Sequence, residues 1–216
     1  MYKLIKYQFR ISVKTFKTLF VALFILLLPI IRYVDSCYEI GIVLDKWLAF
    51  GAMIMFADIY MIEKQHETID MFYLATRYKK TSIIIRTVEC FAMILIFTLF
   101  MYAFSLLRVI SIPPFNILAG IFVENMLAFS ATILFWGMLA FTTVNITKNL
   151  WTGLAIPIIL WFVSTSSLPI PSIINIFSYE KDFSYWYVSK LVYAVISVVL
   201  FLINLKIIEK SPYSDR

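Results

Sequence analysis

Histidine, cysteine, glycine and charged residues are all scarce in this sequence. The 216 residues include one histidine, two cysteines and five glycines, and only 15% of them are charged. With His66 as the sole imidazole, the chain cannot encode an HExxH zinc protease or a Ser-His catalytic triad. The five glycines do not form a GxxxxGK[ST] phosphate-binding loop. We therefore expect no catalytic residue, cofactor site or metal site in this chain, and no ATP hydrolysis by it.

Hydrophobic residues, in contrast, are in large excess. They make up 62% of the chain, whereas soluble domains have about 45–50% apolar and about 25% charged residues. This composition predicts an all-α integral membrane protein. Spans of about 20 residues leave no room for a separate soluble domain. Apolar runs predict a single transmembrane domain over 1–216 with six helices, at 19–34, 42–62, 87–109, 117–142, 150–168 and 187–205.

Basic residues are distributed unequally between the two predicted sides of the membrane. With the N-terminus inside, fourteen of the nineteen lysines and arginines fall on inner segments and five on outer ones. Because basic residues are held on the cytoplasmic side, this predicts a multi-pass protein of the cell membrane with both termini in the cytoplasm. The net charge of +6 is then a topology signal, so we expect no nucleic-acid partner.

The first 18 residues carry five cations at helical spacing, namely Lys3, Lys6, Arg10, Lys14 and Lys17. At about 100° per residue, these side chains fall within an arc of about 80°. We expect residues 1–18 to form an amphipathic helix in the cytoplasmic headgroup layer, with its cations against anionic lipids of the bilayer. The alternative is a positively charged flank that only fixes the topology.

The longest predicted cytoplasmic connection, residues 63–86, joins the second and third helices. It is charged at both ends, with apolar and aromatic residues between them. Thr68 can cap a short helix that would present Ile69, Phe72 and Tyr73 together. Exposed aromatic residues in a polar loop favour a docking surface. The alternative is a solvated loop whose aromatic residues fold back onto the bilayer.

The predicted extracellular connection 166–186 is too long and too apolar for a simple turn. Pro169 and Pro171 end the fifth helix, and an aromatic cluster follows them. We expect a re-entrant or surface-lying segment that caps the outer leaflet and is a candidate gate, because backbone at that depth must be covered by protein or line a cavity. The alternative is an ordinary interfacial aromatic belt.

Acidic residues within the spans are few. Asp58 and Glu89 are expected near the cytoplasmic ends of the second and third predicted helices, in reach of headgroup water. Asp45 is expected at the interface, at the outer end of the second helix. Glu124 lies deeper, about 10 Å into the fourth predicted helix. An acid at that depth is a candidate functional site, and the alternative is a structural ion pair with Arg108.

The motif that carries a family resemblance lies in the 63–86 connection. It comprises an acidic residue, a threonine-led triplet, an apolar pair, a threonine and a basic residue: Glu63, Thr68-Ile69-Asp70, Phe72-Tyr73, Thr76 and Lys80. Glu67 and Arg77 stand where the family usually has glycine and proline. With the basic N-terminal helix, six spans and a proline-interrupted outer segment, the chain resembles the permease subunit of a type-2 ATP-binding-cassette (ABC-2) exporter. Small bacterial members of this family export peptides, toxins and lantibiotics.

The resemblance implies a separate ABC ATPase, which would carry ATP and Mg²⁺ and dock on a coupling helix in the 63–86 connection. The coupling residues would be Glu63, Glu67, Thr68, Ile69, Asp70, Phe72, Tyr73 and Arg77. It also implies a second permease chain, either identical or related, with the second and fifth spans near the path. Candidate path or interface residues are then Thr152, Pro157, Ser164, Thr165 and Glu124. The expected substrate is hydrophobic or amphipathic, with a peptide favoured.

Two other functions stay open at this point. An ion-coupled secondary transporter commonly has acids or broken helices at the bilayer midplane of repeated halves, and this sequence shows no internal repeat. A non-transporting membrane sensor or assembly subunit would have the same composition as an exporter subunit. A membrane enzyme is disfavoured, because it would need clustered His, Asp or Glu residues or a nucleophile with a base.

Overall fold

A computed structural model describes residues 8–9, 15–32, 34, 36–61, 79–107, 109, 113–166, 175–179 and 185–210. Within these ranges the chain forms α-helices joined by turns and bends, without strands. The helices are α1 (Thr15–Ile31), α2 (Cys37–Ala57), α3 (Lys79–Leu106), α4 (Phe115–Thr147), α5 (Leu150–Thr165) and α6 (Trp186–Lys210). The prediction of an all-helical chain is confirmed for the described residues.

Four of these helices, α2, α3, α4 and α6, are long and apolar enough to cross a bilayer. They have 21, 28, 33 and 25 residues, and about 20 residues span a hydrocarbon core of about 30 Å. Helices α1 and α5 are also apolar but have only 17 and 16 residues. The six predicted crossings therefore stay a prediction.

Polar and apolar residues on α6 are arranged in the reverse of the order found in soluble proteins. The buried positions of α6 include Ser189, Lys190, Ser197 and Asn204. Its exposed positions carry large aliphatic side chains, among them Leu191, Val192, Val195, Ile196, Val198, Val199, Leu202 and Ile203. An apolar outer face is unfavourable in water and favourable in lipid, where polar groups must find partners inside the protein. The structure is therefore that of a membrane-embedded helical protein.

Helix α2 lies at the centre of the bundle. It packs against α1, α3, α4 and α5, and α4 packs in turn against α5 and α6. Core residues of α2 such as Leu44, Leu48 and Phe56 are completely buried. Helix α5 lies unusually close to α4, because a Cβ atom on Gly153 would be 2.5 Å from the Cα of Val144. The pair formed by α2 and α4 is thus the frame on which the other helices pack.

The bundle has two ends, named here by their predicted sides. The predicted inner end contains the start of α1 and the end of α2, where Lys17 contacts Asp58. The predicted outer end contains the starts of α2 and α4, where Asn125 donates a hydrogen bond to the carbonyl of Cys37 at 3.3 Å. Which end faces the cytoplasm stays a prediction.

Hydropathy located the apolar parts of the helices but missed their polar ends. Helix α3 begins at Lys79, whereas the sequence predicted a start at residue 87. Residues 79–86, expected within the cytoplasmic connection, therefore form the first two turns of α3. Helix α2 begins at Cys37, with Ser36 accepting a hydrogen bond from the Glu39 backbone N–H as its N-cap, five residues before the predicted start. Charged residues can extend a helix beyond the bilayer core, where hydropathy gives no signal.

Candidate functional site

Lys190 and Asp45 form an ion pair inside the helix bundle. The Nζ of Lys190 lies 2.6 and 2.7 Å from the two carboxylate oxygens of Asp45 and 2.7 Å from Oγ1 of Thr132. The side chains of Lys190 and Asp45 are 4% and 2% exposed, and Thr132 is completely buried. The three oxygens lie on one side of the ammonium nitrogen, because the Thr132 hydroxyl itself donates to Oδ1 of Asp45 at 2.5 Å. We call these three residues the ammonium site.

The ammonium site joins three helices, with Asp45 on α2, Thr132 on α4 and Lys190 on α6. Asp45 lies about 12 Å beyond the start of α2, and Lys190 lies about 6 Å beyond the start of α6. The expectation of an interfacial position for Asp45 was wrong, because its carboxylate is buried between helices. Helix α2 begins earlier than predicted, at Cys37, and the carboxylate lies against Lys190 and Thr132 inside the protein.

A buried ion pair adds little net stability, but it is costly to break. Desolvation of the two charges offsets much of their attraction, but removal of one partner typically costs about 3–5 kcal/mol, because the other charge is left buried and unpaired. Ionisable residues inside membrane-embedded bundles are rare and are functional candidates by default. Asp45 and Lys190 are therefore the strongest candidates among the described residues.

A short non-helical segment, residues 175–179, is buried beside the ammonium site. Each of its residues is at most 2% exposed. Ser189 of α6 donates a hydrogen bond from its Oγ to the carbonyl of Asn175 at 2.8 Å, and the ring of Phe177 stacks 6.3 Å from that of Trp136 on α4. Because Ser189 directly precedes Lys190, the same turn of α6 holds both the segment and the ion pair.

Asn125 of α4 connects the 175–179 segment to the helices at the predicted outer end. Its Oδ1 accepts a hydrogen bond from the hydroxyl of Tyr179 at 2.7 Å. Its Nδ2 lies 3.3 Å from both the carbonyl of Cys37 and the hydroxyl of Tyr102. Tyr38 of α2 donates to the carbonyl of Tyr179 at 2.9 Å. The segment is thus fixed to α2, α4 and α6, while its role as an extracellular gate stays a prediction.

A second ion pair, between Lys17 and Asp58, lies at the predicted inner end. The Lys17 ammonium contacts the Asp58 carboxylate and donates to the carbonyl of Met55 at 2.9 Å. The two side chains are 12% and 11% exposed. The sequence placed Lys17 on a surface helix facing lipid headgroups. In the structure it lies in α1, and its charge is directed at the end of α2, where unsatisfied carbonyls favour a cation.

Arg86 of α3 is completely buried near the same end of α2. Its Nε donates to Oε1 of Gln8 at 2.6 Å, and its Nη1 donates to the carbonyl of Ile59 at 2.9 Å. These contacts connect the N-terminal part of the chain, the end of α2 and the start of α3. The two flanks of the 63–86 connection are therefore both attached to the bundle, through Asp58 on one side and Arg86 on the other.

A neutral polar cluster joins α4 and α6 closer to the predicted inner end. The Nδ2 of Asn145 donates to Oδ1 of Asn204 at 2.7 Å, and the Nδ2 of Asn204 donates to Oγ1 of Thr142 at 2.7 Å. All three residues are buried. Interhelical hydrogen bonds of this kind are worth about 0.6–2 kcal/mol in membrane proteins. Together with Lys190, Asn204 fixes α6 to α4 at two levels.

The path residues predicted on the fifth span lie on α5, which contributes none of the three residues of the ammonium site. Thr152 is exposed, Pro157 is buried, and Ser164 and Thr165 are half-buried. The hydroxyls of Ser164 and Thr165 donate to carbonyls of their own helix, at 2.8 and 3.1 Å. A path or interface role for these four residues stays a prediction.

Glu124 is exposed on α4, next to the buried Asn125. Arg108, its predicted partner, lies outside the described residues, so that ion pair stays a prediction. The predicted surface cations Lys3, Lys6, Arg10 and Lys14 also lie outside them, as do all the predicted coupling residues: Glu63, Glu67, Thr68, Ile69, Asp70, Phe72, Tyr73 and Arg77.

Sequence reasoning missed the ammonium site, although a signal was present. Asp45 and Lys190 carry opposite charges in two otherwise apolar helices, and pairing such residues across a bundle is the usual way to bury them. Lys190 is one of the five basic residues of the predicted outer segments, and Asp45 was expected at the outer end of the second helix. Hydropathy gives no information on which helices are neighbours. In the described part of the chain, no group of three His, Cys, Asp or Glu residues could hold a metal ion.

No protein-family model, curated protein or solved structure matches this chain.

Proposed function

We propose that this chain is the transmembrane permease subunit of an ABC exporter, moving a hydrophobic or amphipathic substrate, with a peptide favoured, out of the cell. In this proposal a separate ATPase subunit binds ATP and Mg²⁺ and docks on the 63–86 connection. A second permease chain, identical or related, completes the path. The chain crosses the cell membrane six times, with both termini in the cytoplasm.

The observation that carries the proposal is the attachment of both flanks of the 63–86 connection to the bundle. Asp58, near the end of α2, is paired with Lys17 of α1, and Arg86 of α3 contacts Gln8 and the carbonyl of Ile59. Movement of a docked ATPase has to reach the membrane helices to drive transport. Anchors on both sides of the connection would transmit this movement to α1, α2 and α3, whereas an unattached connection would change shape without moving them.

Copurification tests this function. We expect Phe72→Ala with Tyr73→Ala to release the ATPase that copurifies with the wild-type chain from native membranes in mild detergent. Truncating aromatic anchors costs about 2 kcal/mol or more, roughly a thirtyfold loss of affinity. The matched control, Phe183→Ala with Tyr185→Ala in the predicted extracellular connection, should keep the ATPase bound. Retention of the ATPase by both double variants, or its absence from the wild-type preparation, would contradict the proposal.

An ion-coupled transporter is a second candidate, and the buried Asp45–Lys190 pair is the observation that favours it. Ionisable pairs inside membrane bundles recur in proton and ion pathways. The purified chain alone, in liposomes containing a pH-sensitive dye, distinguishes the two functions. Proton entry under an imposed potential that Asp45→Asn abolishes would favour ion coupling, whereas the exporter proposal expects no such entry without the ATPase.

A further inference from the structure

The three acceptors of the Lys190 ammonium belong to two helices, and the ammonium itself comes from a third. Asp45 lies on α2 and Thr132 on α4, while Lys190 reaches them from α6. The Nζ of Lys190 lies 2.6 to 2.7 Å from all three oxygens. The α2 and α4 pair therefore presents a carboxylate and a hydroxyl to an ammonium group, and α6 supplies the occupant.

The acceptors are held by a rigid pair of helices. A Cβ atom on Gly41 of α2 would lie 2.0 Å from Oδ1 of Asn125 on α4, and one on Gly137 of α4 would lie 2.8 Å from the ring of Phe56 on α2. These close approaches, one toward each end of the pair, bring α2 and α4 together. The backbone positions of Asp45 and Thr132 are thus set by the packing of α2 against α4.

Helix α6, in contrast, is held to its neighbours at few polar points. Near the ammonium site these include Lys190, Ser189, which binds the 175–179 segment, and the carbonyl of Trp186, which accepts a hydrogen bond from Ser178 at 3.5 Å. The next buried polar residue toward the predicted inner end, Ser197, donates only to a carbonyl of its own helix, and the interhelical contact after it is that of Asn204. Movement of this outer part of α6 would free the acceptors and uncover the segment on the side of α6, while Tyr38 and Asn125 keep the segment attached to α2 and α4.

We propose that Asp45 and Thr132 form a binding site for a primary ammonium group, which Lys190 occupies in this closed arrangement and which the ammonium of a transported amphiphile occupies when α6 moves away. The identification of that amphiphile as the substrate rests on the proposed export function. The carboxylate and the hydroxyl lie at hydrogen-bond distance from an –NH₃⁺ group, whose N–H bonds are donors. They do not suit a quaternary ammonium, which has no N–H donor. The substrate class is therefore amphipathic molecules with a free primary amine, such as a peptide amino terminus or a lysine side chain.

Chemical rescue of a vacated site tests the recognition. Lys190→Ala removes three methylene groups and the ammonium, which n-propylammonium replaces. Unfolding is followed in detergent with a thiol-reactive dye, because both native cysteines, Cys37 and Cys90, are free and buried. We expect Lys190→Ala to lower the unfolding midpoint by about 5–15 °C. Millimolar n-propylammonium should restore at least half of this loss.

Three controls accompany this measurement. n-Propyltrimethylammonium carries the charge without N–H donors and should restore nothing. Lys190→Met fills the space without a charge and should not respond to n-propylammonium. Lys190→Ala with Asp45→Asn lacks the carboxylate and should not respond either.

Equal effects of the two amines, a response of the Asp45→Asn double variant, or an unchanged midpoint in Lys190→Ala would each overturn the site. The Lys190→Ala variant could fail to accumulate in cells. Accumulation only in cells grown with n-propylammonium would then support the site, and failure to accumulate even with the amine would overturn it.

The substrate class is tested with Lys190 in place. In nanodiscs containing a chain without native cysteines, Phe177→Cys reports exposure of the 175–179 segment by movement of α6, through its rate of reaction with an impermeant maleimide. We expect n-dodecylammonium to raise that rate roughly tenfold through a population shift, and n-dodecyltrimethylammonium to leave it unchanged. Equal rates with both amphiphiles would overturn the substrate class. Neither assay contains an ATPase, so a failure of the export function would appear in the copurification experiment and not here.

Discussion

Gly41 and Asn125 are in such close contact that a Cβ atom on Gly41 would lie 2.0 Å from Oδ1 of Asn125. That oxygen already accepts a hydrogen bond from the hydroxyl of Tyr179, so the asparagine cannot turn away without releasing the 175–179 segment. The absence of a side chain at Gly41 therefore permits both the packing of α2 against α4 and the attachment of the segment.

We expect Gly41→Ala to destabilise the protein by about 1–3 kcal/mol through overpacking, despite the higher helix propensity of alanine. The measurement is the unfolding midpoint with the thiol-reactive dye. Gly120→Ala on α4 is the matched control, because no atom lies within 4 Å of a Cβ built there. Alanine at that site should leave the midpoint unchanged or raise it, and a similar loss in both variants would contradict the role of the Gly41 contact.

The two lysine ion pairs at the predicted inner end should differ strongly in their effect on stability. Lys17 and Asp58 are 12% and 11% exposed, whereas Lys80 and Glu209 are each 58% exposed at a distance of 3.0 Å. We expect Lys17→Met to cost about 2–3 kcal/mol, because it leaves Asp58 as a nearly buried, unpaired charge. Lys80→Met should cost less than about 0.5 kcal/mol. Comparable losses in the two variants would show that Asp58 reaches water.

The sequence predicted those features of the fold that depend on the local content of apolar residues. The excess of apolar residues indicated a membrane-embedded helical protein, and each apolar run lies on a helix of the bundle. The ends of the helices were less predictable, since Lys79 begins α3 within a stretch that hydropathy assigned to a loop. Capping and charged flanks decide helix ends, and these signals are local and weak.

The ammonium site could not be predicted in the same way, because it depends on which helices are neighbours. Asp45 and Lys190 are 145 residues apart, and nothing in either helix states that α2 and α6 meet. The contact requires α4 between them, and α4 supplies Thr132. A contact between residues so far apart in sequence depends on how the helices pack. The close approaches at Gly41 and Gly137 bring α2 and α4 together.

The predicted orientation is testable at two exposed positions, one at each end of the bundle. Tyr185 is 58% exposed and lies at the predicted outer end, while the side chain of Lys80, also 58% exposed, lies at the predicted inner end. In a chain without native cysteines, an impermeant maleimide should label Tyr185→Cys in intact cells and Lys80→Cys only after lysis. This outcome follows from the excess of basic residues on inner segments. Labelling of Lys80→Cys in intact cells would reverse the topology.

The hydroxyl of Thr132 should contribute measurably to stability, whereas that of an equally buried threonine should not. Thr132 and Thr98 are both completely buried, and valine has nearly the same shape as threonine. Thr132→Val removes an acceptor of the Lys190 ammonium and a donor to the Asp45 carboxylate. We expect a loss of about 1–3 kcal/mol, since a buried charged group is left with an unmade hydrogen bond.

Thr98→Val is the control for that substitution, because the Thr98 hydroxyl donates only to the carbonyl of Ile94 in its own helix, at 2.7 Å. That carbonyl keeps its helical position, and back-bonding of this kind adds little to stability, so we expect a change within about 0.5 kcal/mol. Both variants are compared with the wild-type chain by unfolding midpoint in the same detergent. If Thr132→Val is as stable as Thr98→Val, the Lys190 ammonium is adequately bound by the two oxygens of Asp45 alone, and the three-acceptor geometry has no energetic consequence.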